Sequence, residues 1–333
     1  MADQRSTALV IAFSPTFKKQ TTFGTALANA ELTAAFPVTA RNYFEVNETV
    51  ERILDCTGQR LIDELLTGRI GALTLEFDAT PQLLFGLYAL AYGVVAAPSG
   101  AGPFTHEGTQ LPLDVYQPPP TSFIVGFKGS ARALVILKDA VVNNVRVRAT
   151  ARGKVTATAT ISFNGAVPAA VAFTLPACAS VTPVRMSDCQ LLVNAIDQTA
   201  LLREFEHSYS NNLLLGDDPY TGNSIDPTRL ERADERAETL NFQILGEPGD
   251  AMHVDMVART KRSVLLHIGA ATNRMSINAT EAIIKRQGSG IGFDGEARRS
   301  TLRVTAEPVS VAGAAPSRIT GINTQATAYL IAA

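Results

Sequence analysis

The chain has 333 residues, with 29 Lys and Arg against 31 Asp and Glu and a net charge of -2. That balance excludes a protein that grips nucleic acid through its phosphates, though not one that must let nucleic acid pass. Apolar residues at 46% and charged residues at 18% describe a globular chain, long enough for two domains and neutral enough at its surface to favour self-association.

The N-terminal MADQRSTALVIAFSPTFKK carries an acidic residue early and only a short apolar run, so it reads as a leading arm with a short strand at Leu9–Phe13 and not as a signal peptide. Irregular chain then leads to a strand near Arg41–Glu45. Residues 48–69 are charged and fit a helix or a loop equally well. Leu73-Thr74-Leu75-Glu76-Phe77 alternates as a strand. Thr80-Pro81 follows, a capping residue and a proline at the first helical position, and Leu83, Leu84, Leu87, Leu90 and Ala91 form one apolar helical face that Gly93 is placed to end. The uncharged run Leu83–Ala97 falls short of the ~20 residues that span a bilayer and contains two glycines, so no membrane segment is expected.

Residues 94–120 are rich in Pro, Gly and Ala and read as a long loop. Strands resume at Phe123–Phe127 and Leu134–Leu137. The stretch Val141–Gly165 is the clearest signal in the chain. Val145 and Val147 alternate with Arg146 and Arg148, Gly153-Lys154 breaks the pattern, and Val155, Ala157, Ala159, Ile161 and Phe163 alternate with Thr156, Thr158, Thr160 and Ser162. Period-2 alternation of this kind is an antiparallel hairpin with one buried face and one face of hydroxyls and guanidinium groups. Prolines and small residues at 165–185 mark a domain boundary, giving a first domain at 1–175 and a second at 176–333. The second half offers Leu191–Leu202, a polar excursion over 210–236, a strand at Thr239–Ile244, a short helix from Glu247-Pro248 through Ala258, strands at Val264–Ile268, Met275–Ile277 and Ser300–Ala306, and a last strand near Ala326–Ile331.

The halves share an order of events. Leu73, Leu75, Phe77 and Pro81 fall against Leu240, Phe242, Ile244 and Pro248 at an offset of 167 residues; Phe123, Val125, Phe127 and Ile136 fall against Val264, Leu266, Ile268 and Ile277 at an offset of 141. The change in offset matches the size of the 94–120 loop. A duplicated module implies two equivalent units side by side in a ring, so that three chains make a pseudo-six-fold assembly.

No chemistry stands out. Cys56, Cys178 and Cys189 are odd in number and widely spaced, which suggests neither a disulfide framework nor a metal site and makes a reducing cytoplasm the default. His106, His207, His253 and His267 have no ligand-spaced partners, so no metal is expected. Gly288–Gly295 is glycine-rich but lacks the strand, helix and Lys-Ser/Thr of a phosphate loop, and reads as a hairpin turn. Asp217, Asp218, Asn223 and Asp226 do not follow the order of a calcium loop. There is no nucleophile elbow, so neither catalysis nor a cofactor is expected. Arg146, Arg148 and Arg152 form one basic stripe set among Thr residues, which points to ion pairs between subunits in preference to base stacking.

Several stretches resemble the tail tube proteins of long-tailed bacteriophages, in the branch with two tube-like halves. KKQTTFGTALANAELTAAFPV looks like that group's opening segment, with Gln20 where an acidic residue is usual. GALTLEFDATPQLLFGLYALAYG is similar to its strand leading into a helix, and NNVRVRATARGKVTATATISFNG to its closing hairpin. IDPTRLERADERAETLNFQILGEPGDA and FDGEARRSTLRVTAEPV look like the counterparts in the second half. The resemblance implies a mainly β fold, a duplicated antiparallel β-barrel or sandwich with a flanking helix in each copy. It implies a virion protein, assembled in the host cytoplasm, whose trimeric pseudo-hexameric or hexameric rings stack into a hollow tube around a tape measure protein. DNA passes through that tube without specific binding. It implies no catalysis and no cofactor. Under this resemblance the loops 41–69 and 210–236 are expected to contact the next ring, with Arg60, Arg229, Arg232 and Glu235 as ion-pair formers. The 94–120 loop is expected on the outer surface or as an inter-ring arm. The alternatives are another virion β-protein, such as a tail terminator or baseplate hub, and a carbohydrate-binding or adhesin-like β-sandwich. The absence of Trp and the 7% aromatic content speak against the last.

Overall fold

Alternation of apolar and β-branched residues along most of the chain leaves little for helices to claim, and the fold is mainly β. The computed structural model describes residues 9–36, 43–54, 61–112, 114–127, 135–164, 173–177, 182–215, 227–232, 235–294 and 299–332. The first half runs β1 (Leu9–Phe13), β2 (Ala34–Ala35), β3 (Tyr43–Leu54), β4 (Leu61–Asp78), α1 (Pro81–Tyr92), β5 (Gly93–Val95), β6 (Phe104–Gln110), β7 (Thr121–Phe127), β8 (Val135–Thr150) and β9 (Thr156–Asn164). The second runs β10 (Cys189–Val193), β11 (Ile196–Asp197), β12 (Leu202–Ser210), β13 (Ala237–Leu245), α2 (Ala251–Ala258), β14 (Lys261–Ala270), β15 (Asn273–Asp294), β16 (Arg299–Pro308) and β17 (Ser317–Asn323).

The two halves pair their strands in the same order. In the first the antiparallel order is β1–β7–β8–β9–β4–β3. In the second it is β10–β14–β15–β16–β13–β12. Each half carries a register break at the same place, between Thr121 and Phe123 in β7 and between Arg262 and Val264 in β14. Leu73, Leu75 and Phe77 face Ile161, Ala159 and Ala157 just as Leu240, Phe242 and Ile244 face Ala306, Val304 and Leu302. The ladders refine the alignment read from sequence in one detail: Val135, not Ile136, holds the position of Ile277.

The helix α1 follows its local signals. Thr80 Oγ1 accepts from the Leu83 N–H at 3.4 Å, Pro81 opens the helix, and Gly93 closes it at φ 93°, where a side chain is strained. Every residue of α1 except Gln82 is buried. The reason lies in topology: α1 packs on β8 of its own half, while β6 and β17, paired to each other across the halves, and β15 also pack against it. At the counterpart helix α2 only Met252 and Met256 are buried, and Val254 and Val257 stay about half exposed. One apolar cluster runs from Ile11 to Leu330 through both halves.

Four expectations change. Residues 48–69 contribute not a helix or loop but most of the long hairpin β3–β4 within the described residues. The stretch 94–120 contains β5 and β6 and is not loop throughout. The last strand is β17, since residues 326–331 turn back so that Tyr329 stacks edge-on against Phe85 at 4.9 Å. Gly288–Gly290 is no hairpin turn: it sits inside β15 as an irregularity between Arg286 and Ile291, with two glycines at positive φ.

One close approach between halves is at Gly321, where an added Cβ would lie 2.6 Å from the Phe85 ring. Gly321→Leu is expected to cost about 1–3 kcal/mol through overpacking, read by denaturant unfolding. An unchanged midpoint would show that α1 and β17 are not held at this distance.

Candidate functional site

Eight strands form one continuous ladder across the chain, in the order β3–β4–β9–β8–β12–β13–β16–β15. The halves meet in its middle, where residues 144–150 of β8 pair with 204–210 of β12. Val147 is opposite His207 and Val145 opposite Tyr209, and all four side chains are buried. The alternate positions form a polar face: Arg146, Arg148, Thr156, Thr158, Thr160, Glu204, Glu206, Ser208, Thr239, Asn241, Arg303 and Thr305, none of them buried. Three of the basic groups on or beside this face are matched by acids, while Arg148 and Arg303 stand exposed on it. Arg146 pairs with Glu206 across the junction, Lys154 with Asp78 at 2.6 Å and Lys285 with Glu307. Solvated pairs of this kind contribute little stability, about 0–1 kcal/mol each, but they cancel the local positive charge.

The residues singled out from sequence are dispersed. Arg60 lies outside the described residues. Arg229 is half exposed and pairs with Glu231 at 3.4 Å. Arg232 departs from the surface role expected of it: it is 1% exposed, its Nε and Nη2 each donate at 2.9 Å to the carbonyls of Val115 and Pro112, and its guanidinium lies 5.6 Å from the Tyr116 ring centroid. It fastens the 210–236 excursion to the end of the 94–120 stretch. The exposed Glu235 lines an open groove of about 850 Å³ with Arg236, Leu111 and Arg318. Arg146 and Arg148 stand together on β8, facing Glu206, at the joint between the halves. The candidate cation loop at Asp217–Asp226 lies outside the described residues.

What the sequence reading missed is a buried polar cluster beneath α1. The Glu238 carboxylate, 6% exposed, accepts at Oε1 from Tyr92 Oη at 2.8 Å and His207 Nε2 at 3.0 Å, and at Oε2 from Ser317 Oγ at 2.6 Å and Gln110 Nε2 at 2.9 Å. The other ring nitrogen of His207, Nδ1, lies in hydrogen-bond contact with Tyr88 Oη at 2.6 Å. Burial first, and the Glu238 charge second, hold the Tyr88 and Tyr92 hydroxyls well above the usual phenol range, so both remain donors. The four donors to Glu238 come from α1, β6, β12 and β17, separated from it by up to 146 residues. Only the tyrosines within an otherwise aliphatic helix signalled that it had polar partners. Among the described residues no three His, Cys, Asp or Glu side chains come together as a metal site, and no helix is long and apolar enough to cross a membrane.

The cluster predicts a steep difference between two variants. Glu238→Ala strips four buried donors of their acceptor and is expected to cost about 3 kcal/mol or more, while Tyr88→Phe removes one hydrogen bond and costs about 1 kcal/mol. Chemical unfolding measures both; equal small losses would show that the cluster does not hold the halves together.

No curated protein matches this sequence. The family described as phage tail tube protein does match, over residues 8–234, more than half of the chain and across the β8–β12 joint. That family is structural and serves in the tail of the virion. With its mainly β architecture and its continuous antiparallel ladder, the chain belongs to the phage tail tube protein family.

Proposed function

We propose that the chain is the tail tube subunit of a long-tailed phage, built of two tandem β modules at 1–175 and 176–333. Three copies make a ring of six modules, and rings stack into a tube that encloses the tape measure protein and later conducts DNA. The observation that carries this reading is the repeated strand order, with its matching register break, joined edge to edge at β8–β12. A joint of that kind between unlike halves is the joint a ring repeats between copies.

Size supports the same reading. Eight ladder strands per chain give twenty-four in three copies. At a spacing of about 4.8 Å and a tilt near 40°, the closed barrel is roughly 45–50 Å across between backbones, enough for a DNA duplex inside its side chains. Turned inward, the polar face would present hydroxyls and paired charges. Each unpaired cation would add a phosphate contact and slow passage, so cancelled charge suits a conduit. A lectin reading finds no platform: among the described residues Tyr116 is the one markedly exposed aromatic ring.

Electron microscopy of the purified chain is expected to show rings or tubes, with native mass spectrometry giving multiples of three chains. A monomer at every concentration would overturn the proposal. Thr158→Lys with Ser208→Lys, placed on the polar face, is expected to leave tubes intact and to slow DNA release from phage in a salt-sensitive manner. Release at the unaltered rate would show that this face does not line the lumen.

A further inference from the structure

The joint inside the chain shows what each outer margin lacks. On the β8 side, residues 144–148 have β9 on one edge and β12 on the other. Their counterpart in β15, from Ile284 onward, has β16 on one edge and, among the described residues, no strand on the other. Likewise β12 lies between β8 and β13, while its counterpart β3 has, among the described residues, only β4. The apolar side chains record the same deficit. Tyr209 and Val147 are 0% exposed at the inner joint. Val46, at the Tyr209 position, and Ile291, at the Val147 position, pack against the core yet remain half-buried.

Charge follows the pattern. At the inner joint the cation stands on β8 and the carboxylate on β12, as the Arg146–Glu206 pair. At the outer margins β15 carries Lys285 and the exposed Arg286, and β3 carries the exposed Glu45 and Glu48. Lys285 is engaged by Glu307 of its own chain, whereas Arg286 is exposed and forms no ion pair among the described residues.

Resting on the ring reading above, we propose that β3 of one copy adds antiparallel to the free edge of β15 in the next, in the register of the β8–β12 joint. Asn47 of β3 then stands opposite Lys285, as Ser210 stands opposite Asn144, and Phe44 stands opposite Ile291, as His207 stands opposite Val147. Arg286 then stands opposite Val46, as Val145 stands opposite Tyr209, and Glu48, two residues along β3 on the same face, is its diagonal acidic neighbour. The contact is head-to-tail, donor margin to acceptor margin, and strand addition satisfies the backbone groups that either edge alone leaves to water.

The test is oxidative cross-linking of assembled rings carrying Asn47→Cys with Lys285→Cys. A ladder of covalent multimers is expected from the double variant, and none from either single variant or from Asn47→Cys with Asn278→Cys, which is out of register. Rings from the unaltered chain without this cross-link would overturn the register while leaving the ring reading in place; no rings from the unaltered chain would overturn both. A charge exchange keeps the outcome independent of misfolding. Glu48→Lys is expected to raise the concentration needed for assembly roughly two- to five-fold, and adding Arg286→Glu to the same chain is expected to restore it. A double variant worse than the single would refute the pairing of these margins.

Discussion

A β-sheet that ends in open air has a row of unsatisfied amide and carbonyl groups at each border, and most folds hide or blunt such borders. In this chain charged residues, and in β15 an irregularity, mark the borders of the eight-strand ladder. Its borders, β3 and β15, are long and carry half-buried apolar residues. Everything else in the structure follows from keeping that ladder whole at its centre. The β8–β12 junction turns two modules into one sheet, and α1 lies behind the junction as a shared core element.

Burying a helix on all sides raises a question of orientation, since an apolar cylinder can rotate in an apolar hole. The Glu238 cluster answers it. A carboxylate in a nearly dry site demands donors at fixed angles; Tyr92 on α1 supplies one of them, and Tyr88, one turn earlier, holds the His207 ring that supplies another. His207 and Ser317 tie the same carboxylate to β12 and β17. An interior made of hydrocarbon alone would bind the halves as strongly without fixing how they meet. Arg232 plays a similar part outside the core, holding carbonyls 116–120 residues away in sequence.

The sequence made local features legible and distant ones opaque. Thr80, Pro81 and Gly93 announce α1 because caps act on their own neighbours. The β8–β9 hairpin was plain because its alternation is strict and both strands are adjacent in the chain. The hairpin β3–β4 was ambiguous because its charged residues, among them Glu48, Glu51, Arg52, Asp63 and Glu64, mask the period-2 signal. The β6–β17 pair spans some two hundred residues and leaves no trace in either segment alone. Of the residues expected to pair between subunits, Arg146 instead pairs within the chain, with Glu206 across the β8–β12 junction. Arg232 is buried, and nothing near it in sequence reveals the carbonyls that enclose it.

In the ring proposed above, joining two halves in one polypeptide also bears on how fast and how faithfully the circle would close. Half of the seams in a circle of three chains would be made during folding, at no cost in translational freedom, and only three encounters between separate molecules would remain. Because the two halves differ, such a circle would alternate between two kinds of sector. Its rim would offer three docking phases where an assembly of identical units offers six, which would narrow the rotations open to the next layer.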